Sequence, residues 1–220
     1  MELESGHQRL HRLTKSNKDD NKIHVTVPLR ISLTGAQGTG KSTLARAIAE
    51  RLHSPRREIL LHEGIGNAVA GSGLATGALG TAESVRTFVR LHRARDAAPS
   101  SAAVQIFDRC LLDAFAYAHV LACLPKRELE ELRRATIESC AGLARLIWLR
   151  VSHDYPVMTP RDETPEFRRA IDAAIGRLAR ENAIALIEHA LFPDRIDDIT
   201  AEVQAFVNDC EIRAGSHTAR

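Results

Sequence analysis

The residues best suited to chemistry lie in the stretch ISLTGAQGTGKSTLARAIAERL, from Ile31 to Leu52. Gly35, Gly40, Lys41 and Ser42 satisfy G-x-x-x-x-G-K-[ST] in full. The residue types follow from the task of holding a polyphosphate. Gly35, Gly38 and Gly40 let the backbone wrap closely, so that its N–H groups point inward at oxygens. A helix opening on this turn adds unpaired N–H groups and the positive end of its dipole. Lys41 reaches the β- and γ-phosphates, the Ser42 hydroxyl is placed to ligate Mg²⁺, and Thr43 supports the α-phosphate. The expected nucleotide contacts are therefore Gly35, Gly38, Thr39, Gly40, Lys41, Ser42 and Thr43. Such a loop is common to kinases, ATPases and GTPases and does not choose among them.

The choice depends on what faces the loop. In IFDRCLLDAFAY, Asp108 ends a buried strand, where its carboxylate can face a Mg²⁺ beside Ser42. Arg109 follows it, where many motor ATPases carry a water-activating Glu. An Arg there can clamp an acceptor, and Asp113 can orient it. Glu63 ends the second strand in LLHEG, on the acceptor side. It can take the proton of an attacking hydroxyl, hold a substrate hydroxyl, or be a loop acid in water. Arg161, Arg168 and Arg169 cluster in DYPVMTPRDETPEFRR. Arginines on a closing flap stabilise a transferring phosphoryl group, and Arg161 then Arg168 lead that reading against an ordinary charged loop. Arg86, Arg90 and Arg93 share one helix face, with a solvated face favoured over an acceptor pocket.

These residues need a scaffold. Strand-like runs LRISL (29–33), EILLH (58–62), AAVQIFD (102–108), RLIWLRV (145–151) and AIALIEH (183–189) alternate with helical patterns. The helices are STLARAIAERL, TAESVRTFVRLHRARDAA with its Thr cap, LLDAFAYAHVLACL, KRELEELRRATIESCAGLA, EFRRAIDAAIGRLAREN and RIDDITAEVQAFVND. Strands separated by helices predict an α/β fold: a three-layer sandwich of the P-loop NTPase type, with a parallel five-stranded sheet and helices on both faces. Ligands of such sheets lie at the carboxyl ends of the strands, where the residues above fall. The Gly/Ala-rich EGIGNAVAGSGLATGALG is expected to be a mobile segment. A flexible tail over 1–28, one domain over 29–210 and a frayed end over 211–220 complete the expected organisation.

Composition narrows the class. Of 220 residues, 44% are apolar and 26% charged, which reads as soluble and globular. A formal charge of +2 gives no electrostatic case for a nucleic-acid partner. No apolar run approaches the roughly 18 residues of a membrane span. Cys110, Cys123, Cys140 and Cys210 form no C-x-x-C pair, which predicts reduced thiols and a cytoplasmic protein. Aromatic residues, at 4%, predict no aromatic-rich acceptor pocket.

The phosphate loop, HEG, FDRCLLDAFAY and the DYPVMTPRDETPEFRRAID…LARENAIALIEH segment together resemble the small AAA-type P-loop domain of the NadR-like group, over about residues 29 to 207. That group includes ribosylnicotinamide kinase domains and is related to deoxynucleoside and thymidylate kinases. The resemblance implies that Asp108 and Arg109 take the Mg²⁺ and substrate roles of the kinases' acid–Arg pair. It also implies that Glu63 is the acid after the second strand, and that Arg161 and Arg168 are lid arginines. Motifs and resemblance together lead to the expectation of an ATP- and Mg²⁺-dependent kinase acting on a small hydroxyl-bearing acceptor, a nucleoside or nucleotide. A nucleotide-binding switch, or a slow ATPase or GTPase without such an acceptor, is the alternative.

Overall fold

Strand β1 (Leu29–Thr34) buries Ile31 and Leu33 on one face and Ser32 and Thr34 on the other, because a central strand of a parallel sheet is covered on both sides. The chain is described here from a computed structural model, over residues 28–151, 163–190 and 195–218. The remaining strands are β2 (Ile59–His62), β3 (Val104–Asp108), β4 (Arg145–Arg150) and β5 (Ile187–Ala190). All pair in parallel, in the order β2-β3-β1-β4-β5. Leu33 of β1 stands level with Asp108 of β3 and Ile147 of β4. The chain leaves β1 for β2 at one edge of the sheet, and β3 for β4 on the opposite side of β1. The carboxyl ends of β1 and β3 therefore bracket the crevice where such sheets bind ligands.

Helices cover both faces. On one, α1 (Lys41–Leu52) and α7 (Ile196–Thr218) contribute Leu44, Ile48, Leu52, Ile199, Val203 and Val207 against Ile31, Leu33, Ile106, Ile147 and Leu149. On the other lie α3 (Ala82–Asp96), α4 (Leu111–Leu121), α5 (Lys126–Ala141) and α6 (Pro165–Glu181). Their Val85, Leu112, Phe115, Leu132, Ile171, Ile175 and Leu178 pack with Leu146 and Trp148. The sheet and helix packing agree with the sequence expectation.

Helix α6 starts where Thr164 caps the Phe167 N–H at 3.2 Å and Pro165 occupies the first turn. It is seated on the sheet through Trp148. A Cβ on Gly176 would come within 2.4 Å of the indole ring, so a glycine is required for this approach. The indole N–H donates to Asp172 at 3.1 Å, and the Arg150 guanidinium lies 4.3 Å from the ring centroid.

The structure differs from the sequence expectation in three places. The Gly/Ala-rich segment holds a short helix, α2 (Gly66–Gly71), and a 3₁₀ turn at Gly77–Leu79, where Gly77 has φ 64°. The fifth strand begins at Ile187 rather than 183, because Ala183, at φ 52°, still belongs to the turn that ends α6. The last helix runs past Cys210 to Thr218, where a frayed end was expected. Residues 1–27 lie outside the described residues. Cys110, Cys123, Cys140 and Cys210 are free thiols. Among the described residues, no helix is long and apolar enough to cross a membrane.

Candidate active site

The turn between β1 and α1 is fixed by its ends. Gly35 has φ 147°, and a Cβ there would stand 2.4 Å from the Leu149 carbonyl oxygen. The loop can thus lie against the end of β4 only if this residue has no side chain. Gly40, at φ 84°, supplies the left-handed residue that opens α1, and its carbonyl accepts the Leu44 N–H at 2.9 Å. Gly38 has φ 72°. Thr39 is buried, and its hydroxyl donates to the Ala36 carbonyl at 3.0 Å.

Lys41 is folded into this loop. Its ammonium donates to the Ala36 carbonyl at 2.5 Å and to Thr39 Oγ1 at 3.1 Å. Burial, followed by the nearby Arg109 guanidinium, pushes its pKa down from 10.5 to about 7. A bound polyphosphate would supply the negative charge that the buried ammonium lacks. Around the loop lies a cavity of about 440 Å³, lined by Gln37, Gly38, Gly40, Lys41, Ser42 and Thr43 from the loop side and by Glu63, Gly64, Asp108 and Arg109 opposite. That volume is in the range of small-molecule sites.

Asp108, at the end of β3, is 5% exposed. Its Oδ2 accepts the Ser42 hydroxyl at 2.5 Å, while Oδ1 is buried with no partner among the described residues. A buried carboxylate oxygen left unpaired is costly unless something else occupies it. Mg²⁺ takes oxygen ligands, keeps several waters, and needs one or two protein groups besides phosphate. Ser42 and Asp108 fit it on that chemistry. Gly64 lies close beside them: a Cβ there would stand 3.0 Å from Asp108 Oδ2, a tight approach.

Arg109 adopts φ 78°, an uncommon conformation for a residue with a side chain. Its N–H donates to Leu33 O at 2.9 Å, and Arg95 of α3 donates to its carbonyl at 2.9 Å. Its guanidinium donates to the Gly35 carbonyl at 3.2 Å and to Asp113 Oδ1 at 3.0 Å. Asp113 Oδ1 also accepts the Gly35 N–H at 3.3 Å, and Oδ2 accepts the Cys110 N–H at 3.0 Å. One buried carboxylate thus ties the phosphate loop, Arg109 and the start of α4 together.

Beyond Arg109 lies a second, smaller pocket of about 70 Å³. Gln37, Gly66 and Arg109 line both pockets, so the two adjoin. Phe88 and His92 of α3, Tyr117 of α4 and Glu163 enclose the inner one. Tyr117 donates to Glu163 Oε1 at 3.0 Å, and Glu163 Oε2 is buried with no partner among the described residues. Burial pushes the Glu163 carboxyl up, against the opposing pull of the Tyr117 hydrogen bond and of Arg109 and Lys41. Burial and the Arg95 and Arg109 guanidiniums hold His92 well below the ordinary imidazole range, so it is neutral at pH 7. The low aromatic content predicted no such lining. Phe88, His92, Tyr117 and Glu163 were missed because they come from three separate segments, each unremarkable alone.

The other sequence candidates fall as follows. Glu63 lines the large cavity but is 72% exposed at its side chain, 3.5 Å from Arg46. Arg168 is on α6 and buried, and its Nε donates to the Gln37 carbonyl at 2.8 Å; it braces the phosphate loop directly. Arg169 pairs with Glu166 at the surface. Arg86 pairs with Glu128, and Arg90 and Arg93 are exposed, the solvated face that was favoured. Arg161 lies outside the described residues.

Comparison with known proteins gives the family and the fold. A family model described as an AAA domain matches residues 30–191. No curated protein sequence matches the chain. A NadR protein solved with NAD and AMP-PNP superimposes with TM-score 0.63 at 15% identity, over 82% of this chain and 50% of that one. This chain thus spans about half the length of the NadR structures it resembles. A thymidylate kinase from Ehrlichia chaffeensis gives TM-score 0.58 at 15% identity, over 82% and 98% of the two chains. A deoxyadenosine kinase from M. mycoides gives 0.57 at 16%, over 83% and 100%. At such identities the likeness is one of fold. The family match spans most of the chain, and the phosphate loop stands at the crevice such sheets use: this chain belongs to the AAA domain family, as a P-loop NTPase.

Proposed function

We propose that the chain is an ATP-dependent phosphotransferase, passing the γ-phosphoryl group to a small hydroxyl-bearing acceptor of the nucleoside or nucleotide kind. One observation carries this reading: an enclosed second pocket adjoins the phosphate-loop cavity across Arg109, Gln37 and Gly66. A phosphotransferase needs an acceptor site beside its phosphate loop, whereas transfer to water needs none. The structural relatives described as thymidylate and deoxyadenosine kinases support the same class.

The chain's residues divide the work. Amides of the turn at Gly35–Gly40 and the Lys41 ammonium hold the phosphate chain, in place of the Ala36 and Thr39 contacts that Lys41 makes now. Ser42 and Asp108 would hold Mg²⁺, which supplies charge neutralisation at the phosphates. Arg109, fixed by Asp113, stands between the two pockets and faces the phosphoryl group and acceptor at once. Glu63, at the open cavity, is the candidate to receive or orient the hydroxyl proton. Arg168 braces the loop carbonyl, and Arg161 is proposed as the lid arginine that closes over the transferring group.

Incubation with Mg·ATP and pooled ribonucleosides tests this, with phosphorylated products followed by mass spectrometry. A new phosphate ester on a pool member, absent with Lys41→Ala, is expected. Release of free phosphate alone, at a slow rate unchanged by the pool, would refute it and favour a nucleotide switch.

A further inference from the structure

We infer that Glu163, with Tyr117, reads the acceptor: its carboxylate receives a hydrogen bond from an acceptor hydroxyl and excludes acceptors that carry a phosphate into the inner pocket. This rests on the phosphotransfer reading and narrows its substrate class to an uncharged or cationic nucleoside-like molecule.

Three observations carry it. First, Glu163 Oε2 is buried and has no partner among the described residues, while Oε1 is held by the Tyr117 hydroxyl at 3.0 Å. The carboxylate is therefore oriented, with one oxygen left to accept. A carboxylate accepts hydrogen bonds and donates none, so its complement is a hydroxyl or an amine. Second, the charges that the described residues bring to the pocket leave no unpaired cation for an acceptor phosphate. Among the described residues, the one lining cation, Arg109, is already matched by Asp113 at 3.0 Å, Glu163 has no ion-pair partner, and His92 is neutral. Lys41 and Arg168 are turned to the phosphate loop. The arginines that would suit a phosphate-bearing acceptor, Arg86 and Arg90, are exposed, and Arg86 is taken by Glu128. Third, the remaining walls suit an aromatic ring: Phe88, Tyr117, the neutral His92, Val85 and Leu121 line the pocket.

The pocket's size adds a condition. About 70 Å³ is below the few hundred Å³ that a bound small molecule occupies. Gly77 of the 3₁₀ turn closes it, with its backbone so near Glu163 that a Cβ would stand 2.8 Å from Oε1. An acceptor must move the turn at Gly77 off Glu163 to reach the carboxylate. The same turn then walls the enlarged pocket.

The test compares wild type and Glu163→Gln with two panels under Mg·ATP: ribonucleosides and their 5′-monophosphates, with product and ADP measured. Wild type is expected to phosphorylate nucleosides and not monophosphates. Glu163→Gln keeps the shape but loses the charge. It should raise the acceptor KM about 10- to 100-fold, from loss of a charged hydrogen bond, with the KM for ATP unchanged. The preference for nucleosides over monophosphates should fall with it, which a merely structural role would not produce. An equal loss in kcat on every acceptor at unchanged acceptor KM would overturn the inference. Transfer to monophosphates in preference to nucleosides would overturn it too, and leave the phosphotransfer reading standing. Transfer to neither panel, with phosphate released to water, would remove that reading and the inference with it.

Discussion

Asp113 offers a sharp test of how the site is held. Its carboxylate accepts from the Gly35 N–H, the Cys110 N–H and the Arg109 guanidinium, and its side chain is 4% exposed against 17% for Arg109. Asp113→Asn preserves the volume but sets an amide where an anion was. In either orientation an N–H then faces another donor, and Arg109 keeps its charge without its hydrogen-bonded counterion. Removing one partner of a buried ion pair costs about 3–5 kcal/mol. A chain of this size has a urea m-value of about 2–3 kcal/mol/M, so the unfolding midpoint should fall by roughly 1–2 M. Urea titration followed by circular dichroism measures it, with wild type and variant at one pH. Nucleotide affinity should fall in the same variant, because the first glycine of the phosphate loop loses its tether. A second variant, Arg109→Met with Asp113→Leu, removes both charges and should recover much of the stability and none of the activity. A midpoint shift below about 0.3 M for Asp113→Asn, less than roughly 1 kcal/mol, would refute the assignment of this carboxylate as the hub.

Two further outcomes follow from the same loop. Lys41, with its pKa pushed down to about 7 from 10.5, is mostly neutral in the free protein above pH 7, and bound phosphates would restore its proton. Calorimetry at pH 8 in buffers of different ionisation enthalpy should then show uptake of roughly 0.9 proton per nucleotide if the bound group returns to its ordinary value. Affinity should weaken as pH rises above 7. Across the same window the free protein should become more stable on account of this group, because the unfolded chain binds the proton that the folded one has lost. No proton uptake would contradict the buried ammonium. Gly35→Ala should lose about 2–4 kcal/mol in a denaturation experiment, since its Cβ has no room at 2.4 Å from Leu149 O; a neutral effect would contradict the packed turn.

The phosphate loop and the sheet were legible because both are local. G-x-x-x-x-G-K-[ST] occupies eight consecutive residues, and buried parallel strands are short apolar runs whose burial does not depend on which helix covers them. The pairing of Arg109 with Asp113 was also within reach, four residues apart across the start of α4. The inner pocket was not. Phe88, Tyr117 and Glu163 meet only after three helices have been set against one sheet, and helical periodicity says which face is apolar but not which neighbour it meets. Arg168 was expected in the helix that is α6, and the Thr164 cap puts it in the first turn there; what the sequence did not show is its contact with the Gln37 carbonyl, which depends on how that helix packs against the phosphate loop. The fifth strand was begun too early because the apolar run AIAL crosses a left-handed turn residue, which composition does not mark.

The chain carries a single tryptophan, and it sits where α6 rests on the sheet. Trp148 touches Gly176 in the later half of α6, whose first turn bears Arg168 on the phosphate loop. Any tilt of that helix when the loop is filled shifts the indole against Asp172 and the Arg150 charge. If filling the loop tilts α6, the intrinsic fluorescence of this one indole is the signal that would register it, from a site the fluorophore never touches.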